Sequence, residues 1–495
     1  MKNFHLILAS IFAVILSLSY FGCDTPENGS SPILYNEADR IQPYSENPYY
    51  WQYKGEPVWL VGGSWQDNLF NHPDGLAEHL DLLVSVGGNY ARNVMSHRNV
   101  GNVFAYKQNE DGLFDLDLFN DEYWERFENF LDMTYERDII VQIEIWDPWD
   151  KHADHQSFGG WSFHPFNPAN NITWTPEGSG LPTEIDFDPQ TNPTDHPFWY
   201  SVPLLNDNEL LLSYQEAYVD KLLSYSLNYP HLLYCINNET GEPNEWGDFW
   251  ADYVRDSANE AGVKIEITDM RRNEDIRSND HLHIFDQPER YTFVDISQNN
   301  AWNGLGEAHY ESILYVRERL SAHPRPINNN KNYGAARHGE EESVARMARI
   351  LFAGSASARF HRPHPYEDPD YMEAKSDFGM GLSPRAQNII QSLRMTVNEL
   401  ALERTEPRND LLSDRGENEA YLLAEPGKMY ALYYPYGGSV VLNMESSQDQ
   451  FEYRWLNLDE AEWSEPETLE VSPETRLSSP FEGHWIVVLK QKQEM

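Results

Sequence analysis

The run LLYCINNETGEP, from Leu232 to Pro243, decides the fold class of this 495-residue chain. Its first residues are mostly apolar, as expected of a β-strand that is buried on both faces. Successive side chains on a strand point to opposite faces, so residues two apart share a face. Leu232, Tyr234 and Ile236 share one face, and Leu233, Cys235, Asn237 and Glu239 share the other. The second face becomes polar towards the carboxyl end, where Glu239 is placed to act.

Seven other short β-rich runs accompany this one, and amphipathic helical stretches separate most of the eight. This alternation is typical of an α/β fold with parallel strands. The eight runs are 58–64, 89–95, 138–146, 231–239, 263–269, 293–298, 326–333 and 356–363, and the helical stretches are 122–137, 208–228, 245–260, 308–322, 340–352 and 384–401. Eight strands in this order predict a (β/α)8 TIM barrel over residues 41–405, with its site at the C-terminal strand ends.

Two further segments differ in character from the barrel pattern. Residues 406–495 carry short alternating strands with turn residues between them, which predicts a small C-terminal antiparallel β-sandwich. The connection from Trp146 to about Asn206 is too long for an ordinary loop and is rich in aromatic residues. We expect about half of these aromatic side chains to pack together and the others to wall a cleft.

The N-terminus, MKNFHLILASIFAVILSLSYFGC, reads as an export signal because a lysine precedes an apolar run and a small residue precedes Cys23. The FGC ending resembles a bacterial lipobox, which predicts lipidation of Cys23 after removal of residues 1–22. Residues 23–40 then form a linker of Pro, Gly and Ser character. The prediction is an exported protein anchored in the outer membrane, and the apolar run is too short for a spanning helix.

Composition narrows the classes of ligand. A net charge of -44 disfavours nucleic acid, which requires clustered Lys and Arg. The chain has 15 Trp and 29 Tyr, which suggests stacking surfaces for sugar rings. It contains no HExxH, CxxC or EF-hand spacing, no GxGxxG or P-loop and no GxSxG, so neither a metal nor a cofactor is predicted. The run HLHIF, His281 to Phe285, is interpreted as a strand edge rather than a ligand pair.

Two motifs resemble signatures of the large clan of (β/α)8 glycosidases. The pair Asn238–Glu239 looks like the clan's fourth-strand motif, and GGNYARN at 87–93 resembles its second-strand motif. The resemblance implies that Glu239 is the general acid, that Asn238 holds a sugar hydroxyl and that Arg92 lies under the reacting sugar. A helix-capping Glu239 and a structural Arg92 are the alternatives.

The chain from Asn47 through WQYKGEPVWLVGGSWQDNLF at 51–70, then LFAGSASARFHRP at 351–363 and the C-terminal strands, resembles secreted bacterial glycoside hydrolase-like proteins. These proteins join a (β/α)8 barrel to a small C-terminal β-domain described as collagen-binding-like. The similarity covers nearly the whole mature chain, although its motifs are loose. It implies a polysaccharide-processing enzyme without naming the substrate.

The stretch PINNNKNYG, 326–334, departs from that clan's pattern. In the clan a nucleophilic Glu follows the strand-seven proline by five residues, and counting from Pro326 reaches Lys331. Ordinary retaining hydrolysis, with two carboxyl groups about 5 Å apart, is therefore in doubt.

Three interpretations remain open. An inverting enzyme would use Glu239 as acid and Asp147, Glu144 or Asp295 as base, because alternation turns Glu144 and Asp295 inward. A substrate acetamido group could instead be the nucleophile, or catalysis could be lost while the cleft still binds glycan. A polysaccharide lyase with Lys331 or a histidine as base is a weaker alternative.

Cationic side chains gather at the predicted strand ends. They comprise Arg271, Arg272, Lys331, Arg337, His361 and Arg362. Such a group favours a sulfated or uronate-containing sugar, unless Lys331 pairs with an inward carboxylate and Arg362 is structural. Trp65, Asp67 and Trp146 complete the predicted substrate-binding set. The chain is thus expected to be a glycoside hydrolase acting on a plant or algal polysaccharide.

Overall fold

The computed structural model describes residues 36–492 except Val100, 152–159, 186–195, Thr240, 301–303, Gly334, 364–378, 445–449 and Val471, and only the backbone of 335–337. The predicted export signal and Cys23 lie outside the described residues. Residues from Tyr35 onward form one compact unit. No helix in the described part of the chain is long and apolar enough to cross a bilayer.

All eight predicted β-rich runs form strands. They are β1 Leu60–Gly63, β2 Tyr90–Val94, β3 Ile140–Trp146, β4 Leu232–Asn237, β5 Ile267–Thr268, β6 Val294–Asp295, β7 Ile327–Asn328 and β8 Ser357–Phe360. Parallel pairing joins β2, β3, β4 and β5 in that order, β6 to β7, and β8 to β1.

Backbone hydrogen bonds also run between these three groups of strands. The Asn89 amide donates to Val61 O over 2.9 Å, and the Thr292 amide donates to Ile267 O over 2.9 Å. The Ala356 amide donates to Ile327 O over 2.8 Å. Consecutive strands are therefore neighbours throughout, which brings their carboxyl ends to the same side.

A helix follows each strand. The helices are α1 Leu76–Ser85, α2 Asp121–Glu136, α3 Glu209–Ser226, α4 Asn244–Glu260, α5 Asn279–Phe285, α6 Glu307–Arg319, α7 Ala335–Phe352 and α8 Pro384–Val397. Six of them match predicted helical stretches, and α7 contains a kink at Gly339 with φ 78°. The mixed α/β class is confirmed.

The strand-edge interpretation of HLHIF is wrong, because His281 to Phe285 lies in α5. Ser278 occupies the N-cap position and Asp280 lies in the first turn, where an acidic side chain suits the helix dipole. His281, Ile284 and Phe285 are buried at helical spacing. Three of the five residues thus follow the helix period rather than the strand period.

An N-terminal antiparallel sheet lies against the amino ends of the parallel strands. Its strands are Gln42–Pro43, Trp51–Tyr53 and Glu56–Val58. Trp51 is fully buried among the first inward side chains of the strands, including Leu60, Tyr90 and Leu233. Its indole Nε1 donates to Asn328 Oδ1 over 2.8 Å. This end of the strands is consequently filled by side chains.

The long segment after β3 packs mostly inward. Trp161, Phe166, Trp174, Phe198 and Trp199 are buried, so at least these members of the predicted aromatic set form core. Phe163 remains exposed, and Phe187 lies outside the described residues. The antiparallel hairpin Tyr106–Gln108 and Phe114–Phe119 contacts this segment through a bridge between Phe114 and Asn171.

The C-terminal residues form two antiparallel sheets. Their strands are Glu406–Pro407, Leu412–Ser413, Tyr421–Glu425, Met429–Tyr434, Ser439–Asn443, Gln450–Asn457, Glu462–Trp463, Glu467–Glu470, Glu474–Ser478 and Trp485–Gln491. Alternate residues of Tyr421–Glu425 and Met429–Tyr434 divide between two apolar clusters. One cluster, with Leu422 and Leu432, includes Leu442 of the second sheet. The other, with Tyr421 and Tyr433, is continuous with the core around the helices.

Candidate functional site

Charged and amide side chains converge at the carboxyl ends of the parallel strands. The buried members are Asp67, Arg92, Glu144, Asp147, Asn238, Asp269, Asp295, Asn330, Lys331 and His361, with Arg98, Glu239 and Arg362 largely covered. Burial of so many charges requires that they pair. The pairing determines which groups are available for chemistry.

Glu239 lies two residues beyond the end of the buried strand β4 and has a positive φ of 55°. A residue other than glycine rarely adopts this left-handed conformation, and such strain concentrates at functional sites. Lys331 Nζ lies 2.6 Å from Glu239 Oε1, and the Tyr333 hydroxyl donates to the same oxygen over 2.5 Å. The strand end therefore holds the carboxylate between an ammonium and a phenol.

These contacts determine the ionisation of Glu239. Burial by itself would raise its pKa, but the charge of Lys331 and the hydrogen bonds from Lys331 and Tyr333 outweigh burial and hold the pKa far below the usual glutamate range. Glu239 is therefore a carboxylate at neutral pH. In this state it accepts protons and hydrogen bonds, whereas a general acid must carry a proton.

Asn238 connects the fourth strand to the third and the seventh. Its Oδ1 accepts a hydrogen bond from Lys331 Nζ, and its Nδ2 donates to Asp147 Oδ1 over 2.8 Å. Its backbone amide donates to Trp146 O over 2.9 Å. Both ends of the amide are thus held by neighbours in this state.

Asp67, in the segment after β1, is the hub of a cationic group. Arg98 lies 2.9 Å and Arg362 lies 2.5 Å from its Oδ2, and Arg92 pairs with Oδ1. Burial would raise the pKa of Asp67, but the charges of Arg362 and Arg92 hold it well below its usual range. Arg98 also binds Asp147 Oδ2 at 2.8 Å, which joins the first and third strand ends.

Glu144 is bound from two sides. Arg92 donates to both carboxylate oxygens, over 2.7 Å from Nε and 2.6 Å from NH2. Asn330 Nδ2 donates to Oε1 over 3.0 Å. This bidentate geometry orients Arg92 beneath the site and occupies the carboxylate.

Asp295 lies deeper, between the site and the filled end of the strands. Gln142 Nε2 donates to its Oδ2 over 2.8 Å, and the Ser297 amide donates to Oδ1 over 2.8 Å. Burial nevertheless raises the pKa of Asp295 to about 6, and the charge of Glu144 adds to the increase. Alternation predicted the inward direction of Asp295.

The remaining predicted residues take varied places. Trp146 is buried in contact with the rings of Phe198, Tyr218, Trp246 and Trp250, rather than presenting a free face. Trp65 is 39% exposed. Arg271 pairs with Asp269 at 3.2 Å, and Arg272 lies 5.8 Å from the Trp149 ring centroid. His361 Nδ1 lies 3.7 Å from Asp67 Oδ1.

Three contributors were not singled out from the sequence as site residues. Arg98 lies in irregular chain beyond β2, where no periodicity indicates its direction. Asn330 precedes Lys331 on the turn after β7. Tyr333 follows Lys331 by two residues, so period-two alternation could have placed it on the same side. In the described part of the chain, no group of three or more His, Cys, Asp or Glu is arranged to hold a metal ion.

Solved structures resemble this fold over most of its length. A family 5 glycoside hydrolase from Bacteroides vulgatus is 12% identical, with a TM-score of 0.61, covering 92% of this chain and 94% of its own. The chain has a glycoside hydrolase fold. A second glycoside hydrolase is 10% identical with a TM-score of 0.60, covering 93% and 98%. A family 5 mannosidase from Rhizomucor miehei is 11% identical with a TM-score of 0.51, covering 74% and 99%.

These identities establish the glycoside hydrolase fold alone, because the sequences have diverged far beyond the level at which activity carries over. No protein-family model matches the chain, and no curated protein does. The predicted relationship to (β/α)8 glycosidases is confirmed at the level of fold.

Proposed function

We propose that this protein binds a glycan at the C-terminal strand ends of a closed (β/α)8 barrel, and that it does not carry out ordinary retaining hydrolysis. The observation that supports this proposal is the contact between Lys331 Nζ and Glu239 Oε1 at 2.6 Å. We infer that this ammonium takes the place where retaining chemistry requires a second carboxylate.

Retaining hydrolysis depends on two carboxyl groups in different states of protonation. The negative nucleophile keeps the acid protonated by raising its pKa. Lys331 has the opposite charge, and it keeps Glu239 ionised instead. Among the described residues, Glu239 therefore faces an ammonium rather than a nucleophilic carboxylate, and it does not carry the proton that a leaving group needs.

The other carboxylates are also engaged. An inverting reaction needs a base about 6.5–9.5 Å across the cleft from the acid. Asp147 is bound by Arg98 and Asn238, and Glu144 is bound by Arg92 and Asn330. These pairs favour recognition of hydroxyl groups over activation of water.

The pairing of the cationic side chains at the site indicates whether a neutral or an anionic sugar fits it better. Arg92, Arg98, Lys331 and Arg362 each have an acidic partner, so the site is not a free cationic pocket. A sulfate or uronate would have to displace one of these carboxylates. Neutral sugars therefore fit this state better, and an anionic sugar remains the competing prediction.

Hydrolysis with Glu239 at the scissile bond is the second candidate function. The strained backbone of Glu239 at the end of β4 favours it. In this alternative the entering sugar separates Lys331 from Glu239, and burial then raises the pKa of the released carboxyl. The reaction would be inverting or assisted by a substrate acetamido group.

One experiment separates the two candidates. The wild-type protein and the Glu239→Gln variant are each examined with galactomannan, xylan, laminarin and alginate. Affinity electrophoresis measures binding, and the release of reducing ends measures hydrolysis. Retardation without reducing ends in either protein supports glycan binding. Reducing ends that Glu239→Gln abolishes support hydrolysis, and the absence of both signals on all four contradicts the proposal.

We also propose that Cys23 anchors the mature protein in the outer membrane through a lipid. The support is the FGC sequence after the apolar run. Metabolic labelling with a fatty acid should mark the wild-type protein, and Cys23→Ser should abolish the label. A labelled Cys23→Ser variant would contradict the anchor.

A further inference from the structure

A pocket is formed by the segment between β1 and α1, beside the buried ion pairs around Asp67 and Glu239, which we call the ionic centre. It has a volume of about 320 Å³, which falls within the usual range for small-molecule sites. Its lining includes Trp65, Gln66, His72, Asp74 and His79. None of these five takes part in the Glu239 contacts described above.

Trp65 supplies one wall of this Trp65 pocket. Trp65 is 39% exposed although its indole contacts the His79 ring, with centroids 4.9 Å apart and the ring planes tilted by 56°. A tryptophan held at one side and open at the other is a rigid apolar plate. The carbon-bound hydrogens on one face of a pyranose ring match such a plate, because they are apolar and flat.

His79 has an unmet requirement for hydrogen bonds. Its side chain is 3% exposed, and neither ring nitrogen has a hydrogen-bond partner among the described residues. Burial, with a smaller effect from the charge of Arg359, lowers the pKa of His79 to about 4. The ring is therefore neutral at pH 7 and offers one donor and one acceptor, which is the pattern that a hydroxyl group satisfies.

The lining of the pocket also includes polar side chains, two of which are held by neighbouring residues. Gln66 Oε1 accepts a hydrogen bond from Asn99 Nδ2 over 2.8 Å. His72 Nε2 lies 3.2 Å from Asn68 Oδ1, and Asp74 is exposed at the rim. An aromatic plate together with amide, imidazole and carboxylate groups distinguishes this site from a purely apolar cavity.

Residues of the Trp65 pocket are direct neighbours in the chain of residues in the ionic centre. Gln66 immediately precedes Asp67, the hub that binds Arg92, Arg98 and Arg362. Asn99, which holds Gln66, immediately follows Arg98. A ligand that contacts the Trp65 pocket is thus bound by the same short segment that organises the ionic centre.

We propose that the Trp65 pocket is a sugar-binding subsite that holds one residue of a neutral glycan, stacked on Trp65 and hydrogen-bonded to His79. This inference rests on the proposed glycan binding. It assigns recognition to groups outside the Lys331–Glu239 pair. Affinity should then depend on the pocket even where the central pair is changed.

The test measures dissociation constants by affinity electrophoresis on galactomannan, xylan and laminarin. Trp65→Ala should weaken binding about tenfold, whereas Trp65→Phe should stay near wild type because it retains an aromatic plate. His79→Phe should weaken binding severalfold while preserving the ring contact. Leu118→Ala removes a comparably exposed apolar side chain on another surface and serves as the control.

Thermal unfolding of each variant separates binding from folding. Weakened binding with an unchanged melting temperature in Trp65→Ala and His79→Phe supports the subsite. If the wild type is retarded and both variants bind equally well, the pocket is not a subsite, although glycan binding stands. If none of the three polysaccharides retards the wild type, the proposal of a neutral-glycan subsite is wrong. If alginate alone retards the wild type, the broader proposal of glycan binding still stands.

Discussion

Lys331 and Glu239 form a buried ion pair that connects the seventh strand end to the fourth, with 2.6 Å between Nζ and Oε1. The Lys331 side chain is 1% exposed and the Glu239 side chain is 12% exposed. Each charge has lost most of its water and depends on the other. Removing one member leaves an unpaired charge in a region of low polarity.

Lys331→Met should destabilise the protein by about 3–5 kcal/mol at pH 7, since it leaves Glu239 buried without its cation. The lowered pKa of Glu239 means that the pair stabilises the wild type above the unfolded pKa of about 4.3, and that this stability is lost as the pH falls. In Lys331→Met, burial without the cation should raise the pKa of Glu239, so protonation relieves the variant and its difference from the wild type should shrink as the pH falls towards 4. Urea unfolding at several pH values measures this difference in unfolding free energy.

The exposed pair of Lys54 and Asp138 provides the matched control. Lys54→Met should change stability by less than about 1 kcal/mol, because both side chains remain hydrated. Adding Glu239→Gln to Lys331→Met should recover part of the loss. A Lys331→Met variant as stable as Lys54→Met would contradict the coupling.

Lys331→Glu supplies the missing second carboxyl group. Repulsion between like charges should raise the pKa of one carboxyl, so one group is protonated near pH 5 while the other is ionised. We expect hydrolysis of aryl glycosides with retained anomeric configuration, at least about tenfold above Lys331→Gln. Proton NMR of the first product identifies the anomer, and an inverted product would show that another base acts.

The raised pKa of Asp295 should make stability depend on pH with a sign opposite to that of the Lys331–Glu239 pair. Its pKa is raised to about 6, so the folded state binds its proton more tightly than the unfolded state does. This contribution to stability is complete below about pH 4 and is lost as the pH rises through 6. Asp295→Asn should flatten the pH profile of the melting temperature between pH 4 and 7, whereas Asp111→Asn, at an exposed site, should leave the slope intact.

Arg92→Lys tests the geometry beneath the site. Lysine keeps the charge but cannot bind both oxygens of Glu144 in the fork that arginine makes. We expect a loss of about 1–3 kcal/mol in unfolding free energy, since one hydrogen bond to a charged group is lost. Arg92→Met should lose more, and equal losses in both variants would mean that the fork is unimportant.

Much of the fold follows from local patterns in the sequence. All eight strands were identified, including β5, β6 and β7, which are only two residues long. Period-two alternation also placed Glu144, Asp295 and Glu239 towards the site, because that alternation is a local property of each strand. The count from Pro326 also singled out Lys331, which contacts Glu239 in the structure.

The ion pairs of the site could not be predicted from local patterns in the sequence. Arg98 reaches Asp67 and Asp147 from irregular chain, and its direction depends on contacts distant in sequence. The helix α5 was missed because its seven residues are too few for a clear helical period. Trp146 was expected to contact sugar, but its neighbours in the long segment after β3 bury it.

The C-terminal sheets have a consequence for how the chain reaches its final form. Tyr433 packs 5.7 Å from Phe352 of α7, and Tyr421 packs 4.5 Å from Tyr310 of α6, measured between ring centroids. These strands are synthesised after the helices that they cover. During synthesis, α6 and α7 therefore leave the ribosome with apolar surface exposed. We therefore expect a product that lacks residues 406–495 to aggregate, because this apolar surface stays exposed until those residues fold onto it.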